Sequence, residues 1–578
     1  LRTKKKRIVK KTQPKAKKKP IKKSAAAFAR KTKLSPKKSQ IKNQIKKKKT
    51  KIKIKAKKTK PKKIVQLAKK TKLKKKPPLI KKIPLSTQID SATTRLGFSK
   101  LYPEQIQVIQ EILSSRTSQD ALVVLPTGFG KSACYQIPSM ILRSPVVLIS
   151  PLIALLQDQQ SKLVSKQIPC VRIDGTVRGK ARTEAFSKIR SGRSILIMTT
   201  PETFCGEELG EALKKTGIGL AAIDEAHCVS EWGHDFRPSY LRLGSRLNEL
   251  KTKVKLALTA TATERVRKDI IHSLALKQPG IINVSPHRGN LAFQVAEVRG
   301  DARDSKLREL VQDLPRPGIV YCATIQSVEQ IYKMLNYQKL PVHRYHGRMS
   351  AQQRTQQQQL FMDAKQPSIM VATSAFGLGI DKPDIRFVIH YQTPASLEQY
   401  VQEAGRAGRD GQMAQCELLY DPSDRLIHES LLQKSRVRPD QLYRLAKALT
   451  SWAKENRSPE SLEALAVTAG LSQRITDALL AVLDEAGMTQ KGPSGTIEIL
   501  LSSAQLIDEQ AKKLAGRFET VRIQDVRRLN SFSDYAHAHE CRSIFLRRYF
   551  GEPDPQVCGL CDICKENLTR QKYVEHAA

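Results

Sequence analysis

Five apolar runs, each followed by a stretch of helical spacing, open the patterned part of this chain: ALVVL (121–125), PVVLIS (145–150), SILIMTT (194–200), LAAID (220–224) and KLALTAT (255–261). Runs of Val, Ile and Leu without polar alternation are what a parallel sheet needs when helices cover both of its faces. A second series follows: GIVYC (318–322), VHRYH (342–346), SIMVAT (368–373), RFVIHY (386–391) and CELLY (416–420). The pattern predicts an α/β fold with two tandem parallel-sheet domains, 86–286 and 287–424. Residues 425–530 read as mostly helical. Within them SLEALAVTAGLSQRITDALLAVLDEAGM gives helix, Gly turn and helix, and TQKGPSGTIEIL gives a short hairpin. That is a winged-helix-like outline over about 461–500, with Ser472, Gln473 and Arg474 opening the helix that would face nucleic acid. Helix–Gly–helix pairs are also ordinary packing units. Residues 531–578 hold a cysteine cluster, and 1–85 carry no apolar period.

Charge is distributed as unevenly as hydrophobicity. The 578 residues carry 103 Lys and Arg against 53 Asp and Glu, a formal net charge of +50. Of the basic residues 39 precede residue 84, and no acid precedes Asp90, which leaves roughly +11 for the remaining chain, ordinary for a globular protein that touches a polyanion. A block of like charge whose single aromatic is Phe28 cannot bury a core, so 1–85 is expected to be a disordered Lys-rich tail. Its natural partner is a nucleic-acid backbone, bound by counterion release without sequence choice. No apolar segment of signal-peptide type follows a charged start, and no run of about 18 apolar residues exists, so neither secretion nor a membrane span is expected. Six of the ten cysteines are scattered singly (Cys134, Cys170, Cys205, Cys228, Cys322, Cys416), as in a reduced intracellular protein. The expected compartment is the cytoplasm or nucleoid of a bacterium, or the nucleus of a eukaryote.

Chemistry enters with LPTGFGKSACYQIP, which sets Thr127, Gly128, Gly130, Lys131 and Ser132 between a strand and a helix. Glycines let backbone N–H groups face a phosphate, a Lys reaches the β and γ oxygens, and a Ser at the helix start ligates Mg²⁺. The strict form of this loop has Gly where Leu125 stands. About 90 residues on, the apolar LAAI ends in Asp224 and Glu225. Such a pair suits one carboxylate that holds Mg²⁺ and one that orients an attacking water, so together the two motifs read as an ATPase. Near the C-terminus Cys541 is followed after sixteen residues by CGLCDIC, with Cys558, Cys561 and Cys564. Four thiolates so spaced suit a closed tetrahedral Zn²⁺ site, and an iron–sulfur cluster uses similar ligands.

The ordered set LGFSKLYPEQ, LPTGFGKSACYQIP, LISPLIALLQDQ, TTPE, DEAHCVSEWGHDFRPSY, ALTATAT, VATSAFGLGIDKP and QEAGRAGRDG resembles the RecQ branch of the superfamily-two DNA helicases over roughly 92–425 and 541–564. The resemblance implies two RecA-like domains and an ATP-driven 3′-to-5′ DNA translocase that separates strands, with a role in repair, recombination or fork maintenance. It implies that Gln105 reads the adenine edge, although Tyr102 replaces the family's Arg three residues earlier. It places Asp381 on the nucleotide sugar, and Arg406 and Arg409, expected at i and i+3 on one helix face, across the cleft from the phosphates. Arg409 is the expected finger, with Arg406 supporting it. In the stretch after the acids, Trp232, Phe236 and Arg237 would stack on bases and contact phosphate, with His227 and His234 relaying the strand's presence. YFGEPDPQVCGLCDIC is similar to the family's zinc module, so zinc is the expected metal. In the family a winged helix usually follows the zinc cysteines; here the outline precedes them. An RNA helicase would share the ATPase chemistry, and an architectural nucleic-acid binder would not need these motifs intact.

Overall fold

The computed structural model describes residues 83–577 except 115–118, 231–236, 364, 378–379, 381, 436–437, 456, 493–495 and 502. The Lys-rich segment before residue 83, and Trp232, His234, Phe236 and Asp381, lie outside the described residues.

Seven strands form the first sheet: β1 (Ala121–Val124), β2 (Val146–Ile149), β3 (Cys170–Ile173), β4 (Leu196–Thr199), β5 (Leu220–Ile223), β6 (Val254–Thr259) and β7 (Gly280–Asn283). All pairings are parallel, in the order β3-β4-β2-β5-β6-β1-β7. Successive residues of β1 serve opposite cores. Ala121 and Val123 pack on one side of the sheet with Leu125, and Leu122 and Val124 on the other. Neither face meets water, which is why the sequence shows no polar alternation there.

The second sheet holds β8 (Leu291–Glu297), β9 (Gly318–Tyr321), β10 (Val342–Tyr345), β11 (Ile369–Ala372), β12 (Phe387–His390) and β13 (Ala414–Tyr420), again all parallel, in the order β10-β11-β9-β12-β13-β8. Each of the ten apolar runs supplies a strand. Three further strands, β3, β7 and β8, stand at sheet edges, paired on one side only. An edge strand needs less apolar surface: Ile281 of β7 is 54% exposed, and β8 turns from buried to part-exposed along its length.

Beyond the sheets, helices Pro439–Lys454, Leu462–Ala469 and Gln473–Glu485 and the antiparallel pair β14 (Thr489–Lys491) and β15 (Ile497–Ile499) share a core. This is the helix–turn–helix plus hairpin expected for 461–500, closed at Gly470, whose φ of +60° suits the left-handed cap. The 33-residue helix Ala504–Ala536, about 50 Å long at 1.5 Å per residue, runs through the division expected at 530/531. Its first half gives Ile507, Ala511 and Leu514 to the winged-helix-like core, and its second half packs Phe532 and Tyr535 among Leu397 and Tyr400 of the second sheet domain. Leu241 of the first sheet domain is buried in the same winged-helix-like core, and Arg242 pairs with Asp484 at 2.5 Å. No helix among the described residues is long and apolar enough to cross a membrane.

Candidate nucleotide cleft, strand-sensing loop and metal centre

Strand order brings distant motifs together. β1 and β5 flank β6, so the loop after β1 and the acids after β5 emerge at the same, C-terminal side of the sheet, where parallel α/β folds place their ligands. Leu125 N–H donates to Thr259 O at 3.0 Å, and Asp224 N–H to Ile149 O at 2.8 Å, which fixes the roots of both motifs. Gly128 and Gly130 have φ of +89° and +72°, which strains any side chain there, and both sit close to neighbours: a Cβ at 128 would lie 3.3 Å from Arg409 Cγ, and one at 130 would lie 2.9 Å from Gln105 Nε2. Lys131 Nζ donates to Leu125 O at 3.2 Å. Burial lowers the Lys131 pKa, and Glu225 and Asp224 oppose that shift. Burial, reinforced by Glu225, pushes the Asp224 carboxyl up to about 7.

Glu225 holds a left-handed backbone, φ +49°, an unfavourable conformation for a residue with a side chain and of a kind that clusters at functional sites. Its Oε2 is buried without a hydrogen bond but lies 3.4 Å from His227 Nδ1. The same His227 nitrogen is 2.9 Å from Thr259 Oγ1, whose hydroxyl donates to Thr261 O at 3.1 Å. His227 therefore stands between the acids and the ALTATAT segment. An acceptor oxygen with no donor, a buried acid beside it and Ser132 at the start of helix Ala133–Ile141 make a donor set that fits Mg²⁺ and water.

Gln105 is brought to the loop, but not freely. Its Nε2 donates to Phe129 O at 2.8 Å and Gly130 O at 2.9 Å, and its Oε1 accepts Tyr102 N–H at 2.8 Å. Both amide hydrogens are thus committed to the loop rather than offered to a base. Tyr102, standing where the resemblance has Arg, stacks on Phe129 with ring centroids 4.2 Å apart.

The second domain faces this loop with helix Leu397–Ala404. The expected helix face carrying both arginines is not present. The helix ends at Ala404, because Gly405 caps it and Gly408, at φ +55°, turns the chain away. Arg406 and Arg409 therefore lie on turns and point differently. Arg406 is buried, and its guanidinium donates to Gly377 O within its own domain. Arg409 donates to Ile380 O at 2.9 Å and packs its aliphatic stem on Gly128 across the cleft. Thr127 closes the same contact: a Cβ on Gly405 would lie 3.3 Å from Thr127 Cβ.

Of the aromatic stretch, the described Arg237 is half-buried and donates its N–H to Cys228 O at 3.0 Å. Sequence reasoning missed Tyr240. Its ring is fully buried, and its hydroxyl donates to Asp224 O at 2.8 Å, so the stretch begins at the acids and is tied back to them at its end.

Cys541, Cys558, Cys561 and Cys564 converge with all four sulfurs within 4.8 Å of one another. Separations of 3.4 Å (541–558), 3.9 Å (541–561) and 4.0 Å (558–564) bracket the edge of about 3.8 Å that a tetrahedron with Zn–S of about 2.3 Å has. The donor set fits Zn²⁺. Asp562, between two of the cysteines, pairs with the buried Arg542 at 3.0 Å and accepts Val295 N–H of edge strand β8 at 3.1 Å. The module thereby covers a sheet edge that would otherwise be open. Tyr549 donates to Glu398 Oε1 at 2.9 Å, on the helix that precedes the two arginines.

Residues 102–270 match the DEAD/DEAH box helicase family, 302–411 the helicase conserved C-terminal domain, and 503–565 the RecQ zinc-binding family. The chain is 33% identical over 483 residues to the ATP-dependent DNA helicase RecQ of Bacillus subtilis (strain 168), an alignment covering 83% of this chain and 67% of that protein. It is 38% identical over 334 residues to the ATP-dependent DNA helicase Q5 of Rattus norvegicus, 55% of this chain and 34% of that protein, and so spans about a third of that longer relative. In fold it is similar to the DUF1998 helicase MrfA bound to DNA, with a TM-score of 0.50 at 19% identity, covering 73% of this chain and 64% of that one.

Proposed function

Because the chain belongs to the RecQ family of ATP-dependent DNA helicases, we propose that it hydrolyses ATP to move 3′-to-5′ along one DNA strand and so parts the duplex, in repair, recombination or fork maintenance. Lys131 takes the β and γ phosphate oxygens, with backbone N–H groups of 127–132 cradling the rest. Ser132 and Asp224 would hold Mg²⁺, which would neutralise phosphate charge. Glu225, whose inner oxygen has no donor, orients the attacking water, and His227 ties its position to the Thr259 segment. Arg409 meets the charge that develops on the γ-phosphoryl group, which makes hydrolysis depend on domain closure. Arg406 holds the backbone at Gly377, and Asp381 takes the sugar. Trp232, His234, Phe236 and Arg237 engage the strand, Zn²⁺ on the four cysteines holds the C-terminal module together, and residues 1–85 lie along nucleic-acid backbone.

The observation that carries this reading is the packing of Arg409 on Gly128, in the loop that carries the buried Lys131. Lys131→Ala should abolish DNA-stimulated ATP hydrolysis while DNA affinity, supplied elsewhere on the basic surface, stays within about twofold. Normal turnover in the purified variant would remove the assignment.

A further inference from the structure

We propose that Arg288, on the linker between the two sheets, is the positioning residue for Arg409. This rests on the ATPase reading above. Residues 284–290 join β7, the last strand of the first sheet, to β8, an edge strand of the second. A short connection of this kind absorbs the backbone change when domains close.

Arg288 spends its guanidinium on the carbonyls at the end of helix Leu397–Ala404. Nη1 donates to Gly405 O at 3.3 Å, and Nη2 donates to Ala407 O at 3.3 Å and to Gly408 O. Asn290 adds bonds from Nδ2 to Gly408 O at 2.8 Å and Gln412 O at 2.7 Å. The accepting residues alternate along the chain with Arg406 and Arg409, so the linker grips the backbone from which both project. These carbonyls lie on the turns that follow the helix, and a planar fork of donors can reach several at once where an ammonium cannot. Gly408 permits the grip: a Cβ there would lie 2.5 Å from Asn290 Nδ2.

The other side of the linker is held as well. Ser285 Oγ donates to Glu552 Oε2 at 2.6 Å, His287 Nδ1 lies 2.9 Å from Ser543 Oγ, and Arg547 Nε donates to Glu552 at 3.0 Å. The linker is thus pinned to the cysteine-bearing module on one side and to the arginine turn on the other.

The test is steady-state ATP hydrolysis by the full chain at saturating single-stranded DNA. Arg288→Ala should lower kcat by about tenfold or more with KM for ATP and DNA affinity within about twofold, the signature of an interaction that matters in the transition state. Arg288→Lys, which keeps charge without the fork, should fall between the two and gives the same reading if the Ala variant does not fold. Arg288→Ala added to Arg409→Ala should cost no further turnover, because the first acts through the second. Losses that multiply, a raised KM with kcat intact, or unchanged turnover would each overturn the proposal. A wild type without DNA-stimulated turnover, together with an Arg409→Ala variant that hydrolyses as the wild type does, would instead fell the ATPase reading and this proposal with it.

Discussion

Glu417 on β13 is 4% exposed, and burial lifts its carboxyl to about 7, with Lys306 and Lys565 opposing and Asp562 of the cysteine module adding to the shift. A carboxyl raised in the folded state favours folding in its protonated form. Its contribution is complete below the unfolded value near 4.5 and is lost as pH rises through about 7. At roughly 1.4 kcal/mol per pKa unit, ionising it costs up to about 3.5 kcal/mol. Glu417→Gln should therefore match the wild type in urea midpoint at pH 4.5 and exceed it at pH 8. Equal midpoints at both values would mean that the buried carboxyl is relieved by a partner. At this scale the sequence made some residues legible and hid others. Lys131, Asp224, Glu225 and the four cysteines announce themselves because their chemistry demands a residue type at a spacing. Tyr240 and Arg288 act on backbone carbonyls, and such acceptors leave no mark in a sequence. Gln105 could be located but not its bonding, because its donors are taken by a loop 24 and 25 residues away.

Among elements, the stretch 224–240 is the proposed link between the nucleotide cleft and the DNA strand. Its start is the acidic pair, and Tyr240 returns its end to Asp224. Trp232→Ala or Phe236→Ala should lose most DNA stimulation of hydrolysis and nearly all unwinding, while DNA affinity falls only by the roughly 1–3 kcal/mol that one stacked base contributes. Stimulated turnover that returned fully on raising the DNA concentration would make the stretch a grip and not a sensor. Element prediction succeeded for every central strand, whose two-sided burial writes an unbroken apolar run, and for the edge strand β10. It failed at β3, β7 and β8, where pairing on one side lets polar residues intrude. It also carried the helix too far at Arg406 and Arg409: i, i+3 spacing was read without weighing Gly405 and Gly408, which end the helix at Ala404. The winged-helix-like outline was legible from Gly470 and the hairpin. Its attachment to Leu241 and Arg242, just after the aromatic stretch, depended on contacts far apart in sequence.

For the molecule as a whole, charge and motor are separable in sequence: 39 basic residues precede residue 84, and the nucleotide motifs begin after it. Removing residues 1–83 should weaken single-stranded DNA binding at low salt and flatten the dependence of log affinity on log salt, because each phosphate contact contributes about 0.7–0.9 to that slope. ATP turnover at saturating DNA should be unchanged; a collapse would place the tail inside the motor. The central claim is that closure of Arg409 onto the phosphate loop drives directional movement on DNA. Strand displacement with ATP, comparing 3′-tailed DNA, 5′-tailed DNA and tailed RNA duplexes under one salt condition, tests it most directly. The account predicts rapid separation of the 3′-tailed DNA, little of the other two, and none with Lys131→Ala. Preference for the 5′ tail or for RNA, or displacement that persists without ATP hydrolysis, would contradict it.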